Sequence, residues 1–255
     1  MVKNFKIYKN FNLSKKDKGA IILIGNFDGL HRGHQKLFNK AKSFKKKFKL
    51  KIGVITFDPI PKMFFKRLHN YRLSNFDQKI QLLKKNSVDF IVNQKFNIKF
   101  SKISCFDFIK KILFNKIKPK YIFVSDNFRF GYKRAGDIKL LKSLEKDYNY
   151  KIINPSPLKS KKSVISSSLI RKNLEIGNLK KVKKFLGRNW CIEGRVEKGR
   201  QLGKKIGFPT CNISIKNYKI PKIGVYAVKV SFKNKRKLKG IANIGYRPTF
   251  NQKKL

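Results

Sequence analysis

The chain contains three histidines, and two of them, His31 and His34, stand three residues apart around Gly33. At that spacing across one tight turn, both imidazoles can be aimed at a single anion. The surrounding stretch is Ile24-Gly25-Asn26-Phe27-Asp28-Gly29-Leu30-His31-Arg32-Gly33-His34. It leaves an apolar run, turns through Gly25, Gly29 and Gly33, and enters a helical pattern at about His34. A helix N-terminus presents unpaired N–H groups and a partial positive charge, which suits phosphate. Glycines let the backbone come close to such a group with no side chain in the way. Zinc is the poorer match, because no further His or Cys nearby completes a ligand set.

The elements that must position this turn alternate along the first two thirds of the chain. Ala20–Gly25 is a short continuous apolar run ending in Gly, the pattern of a buried parallel strand. His34–Phe48 follows as a helix with Leu37, Phe38, Ala41, Phe44 and Phe48 on one face. Strands are expected at Lys51–Phe57, Val88–Val92, Tyr121–Val124 and Lys151–Ile153, and helices at Phe76–Lys85, Phe106–Ile117 and Asp137–Asp147. Strand, helix, strand at this spacing implies a parallel sheet covered on both faces. After Leu186 glycines punctuate short β-branched and aromatic stretches, of which Cys191–Glu197, Gly224–Phe232 and Leu238–Ile244 read as antiparallel strands. The expected organisation is an α/β domain over 1–186 and a small β domain over 187–255.

Composition permits a packed core, with 41% hydrophobic and 13% aromatic residues. The charge is lopsided: 64 Lys and Arg against 13 Asp and Glu give a formal +51. Such an excess raises nucleic-acid binding as a function class. The lysines are spread along nearly the whole chain, however, and the aromatics sit in apolar strands rather than interleaved with Arg as stacking platforms. No specific nucleic-acid partner is expected, and compositional drift accounts for the charge better than a selected polyanion surface. Cys105, Cys191 and Cys211 are too widely spaced for a CxxC site and read as mostly buried thiols of a reducing compartment. No apolar run approaches the roughly 20 residues of a membrane helix, so a cytoplasmic protein without membrane partners is expected.

The motif GNFDGLHRGH resembles the nucleotide-binding signature of the bacterial bifunctional riboflavin kinase/FMN adenylyltransferase (FAD synthetase) family. HxGH marks the nucleotidylyltransferases generally, and the GNFDG prefix narrows the likeness to the flavin branch. Further stretches are similar to the family in its order: Thr56–Pro61, Tyr71-Arg72-Leu73-Ser74 with Lys79, Val124–Gly131 with Arg134, Gly136 and Asp137, and Ile165–Arg171. Ser125 stands for the usual Gly and Ser168 for Thr; the latter keeps the hydroxyl. Phe128 and Phe130 read better as core than as ligand contacts. The resemblance implies a Rossmann-like nucleotidylyltransferase domain with a parallel sheet, followed by a small, incomplete antiparallel β-barrel.

The same resemblance implies transfer of AMP from ATP to FMN, giving FAD and pyrophosphate, by direct in-line attack of an FMN phosphate oxygen on the α-phosphorus. His31, His34 and Arg171 are the catalytic candidates. Gly25, Asn26, Phe27, Asp28, Gly29, Gly33, Asn127, Ser166, Ser167 and Ser168 are the expected ATP- and FMN-binding residues, with Arg171 and the Ser166–Ser168 turn gripping the departing phosphates. Mg²⁺ is expected to bind mainly through phosphate oxygens, with no dedicated protein site. Another phosphate acceptor, such as phosphopantetheine or glycerol phosphate, is the competing reading, and the flavin-kinase-like second half argues against it.

That second half carries Gly207-Phe208-Pro209-Thr210-Cys211-Asn212, similar to the family's GFPTAN motif with Cys211 for Ala. By resemblance Thr210 and Asn212 would hold the Mg²⁺–ATP phosphates for phosphorylation of riboflavin. The family's riboflavin-deprotonating Glu belongs to a strand beyond the last matching residues, and Asn251-Gln252-Lys253-Lys254-Leu255 offers no carboxylate side chain. Riboflavin kinase activity is therefore expected to be absent or much reduced in this chain alone.

Overall fold

A computed structural model describes residues 5–161, 163–198, 207, 210–232 and 238–245. Its centre is a sheet of six strands, β1 (Lys6–Tyr8), β2 (Ile21–Ile24), β3 (Ile52–Asp58), β4 (Phe90–Lys95), β5 (Tyr121–Phe123) and β6 (Lys151–Ile153), in the order β1-β4-β3-β2-β5-β6. Every pairing in it is parallel. β1 is an addition at the sheet edge that the apolar pattern does not announce.

Parallel strands are buried on both faces, and the side-chain alternation of β2 shows how. Ile22 and Ile24 enter one core with Ile55, Val92, Ile122 and the helical stretch over 105–117. Ile21 and Leu23 enter the other with Ile52, Val54, Ile91 and the apolar stripe of α1 (Arg32–Phe48), namely Leu37, Phe38 and Ala41. The stretch over 105–117 becomes π-wound from Phe108, closing with the Lys118 N–H on the Leu113 carbonyl at 2.7 Å. A third core joins Leu73 to Ile165, Ile170, Leu174, Val182, Phe185 and Leu186, and so ties α3 (Ser167–Glu175) and α4 (Leu179–Leu186) beside the turn after β2.

The chain runs from β2 to β3 on one side and reaches β5 on the other. The carboxyl end of β2 is thus the point where strand order reverses, the usual crevice for a ligand in an open parallel sheet. α2 (Phe76–Lys85) keeps its sequence-expected bounds, held by a capping box in which Asn75 and Gln78 bond each other's backbone N–H.

Some elements are shorter than their sequence pattern. The helix expected over Asp137–Asp147 covers Ile138–Ser143, and of Cys191–Glu197 only Val196–Glu197 pairs, with Asn212–Ile213. The antiparallel pair β7 (Gly224–Val230) and β8 (Leu238–Ile244) forms as expected. Residues 199–206, 208–209 and 246–255, which carry part of the GFPTCN motif and the segment after β8, lie outside the described residues. Cys105 is buried, but Cys191 and Cys211 are exposed, which corrects the expectation of mostly buried thiols. Phe128 and Phe130 stack on each other at 5.5 Å, and Phe130 also packs on Phe108, so these rings are core. No helix among the described residues is long and apolar enough to cross a membrane.

Candidate active site

β2 delivers the chain at Ile24 into a buried turn that closes at His31, the N-cap of α1. The turn places Phe27 (φ 47°), Gly29 (φ 72°) and Leu30 (φ 36°) in the left-handed region. Non-glycine residues held there cost about 1–3 kcal/mol each and persist only where surroundings over-determine them. Phe27 and Leu30 are both buried in the core beneath α1. Two motif glycines have packing reasons. A Cβ on Gly29 would meet Leu73 Cβ at 2.9 Å, and one on Gly33 would meet the Ile165 carbonyl oxygen at 2.9 Å and His31 Nδ1 at 3.0 Å. Gly33 thereby lets the first turn of α1 lie against the segment that leads into Ser166–Ser168.

The two imidazoles stack on each other, centroids 3.6 Å apart at 21°. His31 Nδ1 accepts the His34 backbone N–H at 3.3 Å, which assigns the neutral ring's proton to Nε2. Phe27 meets the His34 ring edge-on at 5.2 Å. His31 is pulled down to about 4, first by burial and then by the charges of Arg171 and Arg188. His34 lies well below the usual imidazole range, first through burial and then through His31 and Lys79. Both rings are therefore neutral at pH 7 and act as hydrogen-bonding groups. The positive potential comes from the lysine and arginines around them.

Asp28 is the staple of the site. Its buried carboxylate accepts from the Leu73 N–H at 3.0 Å, the Ser74 N–H at 3.2 Å and Arg171 Nη2 at 2.5 Å. It thus joins the turn, the 71–74 loop and α3. Arg171 is held further by donation from Nε to the Tyr71 carbonyl at 2.7 Å and by its position 3.6 Å above the Tyr71 ring. A guanidinium has five N–H groups; those of Nη1 meet no acceptor among the described residues. The sequence reading places Asp28 and Arg171 directly on substrate, whereas the structure shows each first holding the other. Ser166 caps α3 by accepting the Leu169 N–H at 3.2 Å, Ser167 Oγ donates to the Asp28 carbonyl at 3.0 Å, and Ser168 is exposed on the first turn. Asn127 stands apart on the exposed loop after β5, accepting from Ser125 Oγ at 3.1 Å.

Sequence reasoning did not assign three residues that the fold brings to this place. Lys79 of α2 is buried, with Nζ donating to Thr56 Oγ1 at 3.3 Å, and Thr56 in turn donates to the Asn26 carbonyl at 3.3 Å. Thr56 and Lys79 were visible as motif letters, but their burial was not. Arg188 donates to the Gly29 carbonyl at 2.6 Å and to Leu30 and Leu186 carbonyls at 3.4 and 3.2 Å. Gly187-Arg188 resembles the start of the kinase-like half in sequence, and nothing local shows that Arg188 reaches back to this turn. Asn26 Oδ1, His34 Nδ1 and Arg72 Nε are buried with no hydrogen-bond partner among the described residues. Orphaned polar atoms are rare in folded proteins, and two of these lie in the turn itself, with the third on the neighbouring 71–74 loop.

Residues of the second half brace the site from behind. Trp190 Nε1 donates to the Leu73 carbonyl at 2.9 Å, and Tyr218 Oη donates to Gln78 Oε1 at 2.8 Å. The Arg72 N–H donates to the Asn217 carbonyl at 2.8 Å, and the Lys219 N–H to the Arg72 carbonyl at 2.7 Å. Thr210 is exposed and Asn212 lies on the short strand paired with Val196–Glu197. The described residues include no group of three or more His, Cys, Asp or Glu side chains arranged to hold a metal. At the turn itself, both nearby carboxylates are taken, Asp28 by Arg171 and Asp58 by Arg72 at 2.5 Å.

The family model for FAD synthetase matches residues 13–169 and that for riboflavin kinase matches residues 186–255. The bifunctional riboflavin kinase/FMN adenylyltransferase of Buchnera aphidicola subsp. Schizaphis graminum is 41% identical over 241 residues, covering 94% of this chain and 77% of the relative. That of Escherichia coli K12 is 35% identical, covering 93% of this chain and 77% of its own length. A Streptococcus pneumoniae crystal structure, described as a macrolide-efflux protein, superposes with a TM-score of 0.82 at 27% identity, covering 97% of this chain and 81% of that one. With a stacked His-x-Gly-His turn at the switch point of a parallel sheet and matched models over both halves, the chain belongs to the bifunctional riboflavin kinase/FMN adenylyltransferase family.

Proposed function

We propose that the turn from Gly25 to His34 is where this chain joins AMP to FMN, releasing pyrophosphate and forming FAD. One observation carries the reading. Two neutral, stacked imidazoles sit at the start of a 17-residue helix, among orphaned polar atoms and an excess of cationic side chains. Both reactants present phosphates, so no side-chain nucleophile is required. An FMN phosphate oxygen attacks the α-phosphorus of ATP in line, the bond to the bridging oxygen breaks, and pyrophosphate departs. What the protein supplies is alignment and donors aimed at the charge of the transition state.

In this reading His31 donates through Nε2, the proton position its N-cap bond supports, and His34 lies nearest the α-phosphate. The free N–H groups of Arg171 and the N-terminus of α3 at Ser166–Ser168 face the departing phosphates. Gly25, Asn26, Phe27, Asp28, Gly29 and Gly33 shape the pocket, with Asn26 Oδ1 left for the nucleotide, and Asn127 approaches from the β5 side. Mg²⁺ enters as the metal complex of ATP, because the carboxylates at the turn are committed to arginines and Mg²⁺ favours phosphate oxygens and water. For 187–255, taken as the kinase-like domain after an adenylyltransferase domain over 1–186, Thr210 and Asn212 are the proposed ATP-phosphate contacts.

Incubation of the chain with FMN, ATP and Mg²⁺, reading FAD and pyrophosphate, tests the proposal. A donor aimed at developing charge is worth about 3 kcal/mol, so His34→Ala should lower FAD formation at least ~100-fold. An unchanged rate in that variant removes His34 from the mechanism. Supplying riboflavin with ATP, and reading FMN, tests the second half; an unchanged rate of FMN formation in Thr210→Ala removes Thr210 from the proposed ATP-phosphate contacts.

A further inference from the structure

We infer that Lys79 is a catalytic residue of the adenylyltransfer site, its ammonium reaching up from α2 to contact the phosphates held by the His31–His34 turn. This rests on the function proposed above and adds a group whose one hydrogen bond among the described residues goes to a hydroxyl.

Lysine is seldom buried unless paired, and Lys79 is 3% exposed. Its one hydrogen bond among the described residues goes to Thr56 Oγ1 at 3.3 Å, a neutral acceptor whose own proton is directed at the Asn26 carbonyl. An ammonium carries three donors, so two are left for something the protein does not provide. The neighbouring carboxylates do not fill the need. Asp28 is bonded to Arg171 at 2.5 Å and to two backbone amides, and Asp58 is bonded to Arg72 at 2.5 Å.

The charge balance points the same way. Arg72, Lys79, Arg171 and Arg188 act on this neighbourhood against Asp28 and Asp58, leaving two positive charges in excess. A phosphate dianion supplies the missing counter-charge and enough oxygens for the idle donors. Thr56 and Asn26 link Lys79 to the turn, and its charge reaches His34, whose Nδ1 is one of the orphaned atoms. The helix that delivers Lys79 is itself fixed at its start, by the Asn75–Gln78 capping box and by Tyr218 on Gln78. Burial pulls Lys79 down to about 8; Asp28 and Asp58 partly restore it and Arg72 lowers it further. A bound phosphate would raise it again and keep the ammonium charged.

The test compares wild type with Lys79→Met and Lys79→Arg in steady-state FAD formation and in direct titration with inorganic pyrophosphate. Lys79→Met removes a buried charge while keeping the stem, so its melting temperature should not fall. Its kcat/KM for ATP should drop on the order of 100-fold, the size of a lost donor to developing charge, and its pyrophosphate affinity should weaken. In wild type kcat/KM should decline as pH rises through about 8. That limb should vanish in Lys79→Arg, whose guanidinium does not titrate there. Wild-type kcat/KM and pyrophosphate affinity in Lys79→Met overturn the inference. Should Lys79→Met not fold, an alkaline limb in Lys79→Arg identical to wild type overturns it equally. Absence of FAD with wild-type enzyme is a different outcome, since it strikes the adenylyltransfer reading itself.

Discussion

Replacing Asp28 by Asn should destabilise the fold by about 3–5 kcal/mol, the usual cost of removing one partner from a buried ion pair. The estimate follows from what the carboxylate meets. Oδ1 accepts from the Leu73 N–H, the Ser74 N–H and Ser74 Oγ, and Oδ2 accepts from Arg171 Nη2 and shares the Leu73 N–H. An amide has one oxygen and one NH₂. Whichever way it turns, the NH₂ faces either the guanidinium or the loop amides, so donor opposes donor. The Arg171 side chain, 8% exposed, loses its counter-ion in both cases. The reporter is built in. Trp190 is the sole tryptophan, and its Nε1 bonds the Leu73 carbonyl at 2.9 Å, so its fluorescence reads the loop that Asp28 holds. Urea unfolding followed at that tryptophan should show a lowered midpoint at unchanged slope. The double variant Asp28→Asn/Arg171→Met should cost less than the sum of its single changes, because the second removes the stranded charge. A single-variant loss under ~1 kcal/mol, or strict additivity in the cycle, refutes the ion-pair account.

Acid should weaken the fold through His31. Its folded-state value of about 4 lies below the ordinary 6.5, so the unfolded chain takes up the proton first. The contribution is complete above pH 6.5 and is lost as pH falls towards 4, amounting to roughly 3 kcal/mol by 1.36 kcal/mol per unit; His31→Gln should flatten that part of a stability-against-pH curve. Gly33→Ala should cost about 1–3 kcal/mol by overpacking, since its Cβ would stand 2.9 Å from the Ile165 carbonyl oxygen; thermal unfolding checks this. Arg188→Ala removes a charge-assisted bond to the Gly29 carbonyl at 2.6 Å and should destabilise by about 1.5–3 kcal/mol. Because Arg188 helps depress His31, the same variant should raise the His31 titration midpoint in an NMR pH series.

Much of this protein is legible in local pattern. Apolar runs announced five of the six strands of the main sheet, and α2 and β8 begin and end where periodicity and turn residues say they should. The GNFDGLHRGH stretch pointed to phosphate chemistry by itself, because two scarce histidines stand beside a glycine at a strand-to-helix turn. Side-chain period and backbone preference are properties of neighbours in sequence, and those survive in a string of letters. Tertiary structure decided the rest. The three-residue edge strand β1 forms only because β4 offers it an open ladder. Arg171 finds Asp28 across 143 residues, so the arginine expected as a phosphate clamp is also one half of a structural ion pair. Lys79 stands out in the sequence only as a motif letter, and its burial, like the reach of Arg188 to the turn's carbonyls, appears only on folding. Desolvation and long-range pairing belong to the assembled chain, and they separate the few cations gathered at the turn from the many that remain in solvent.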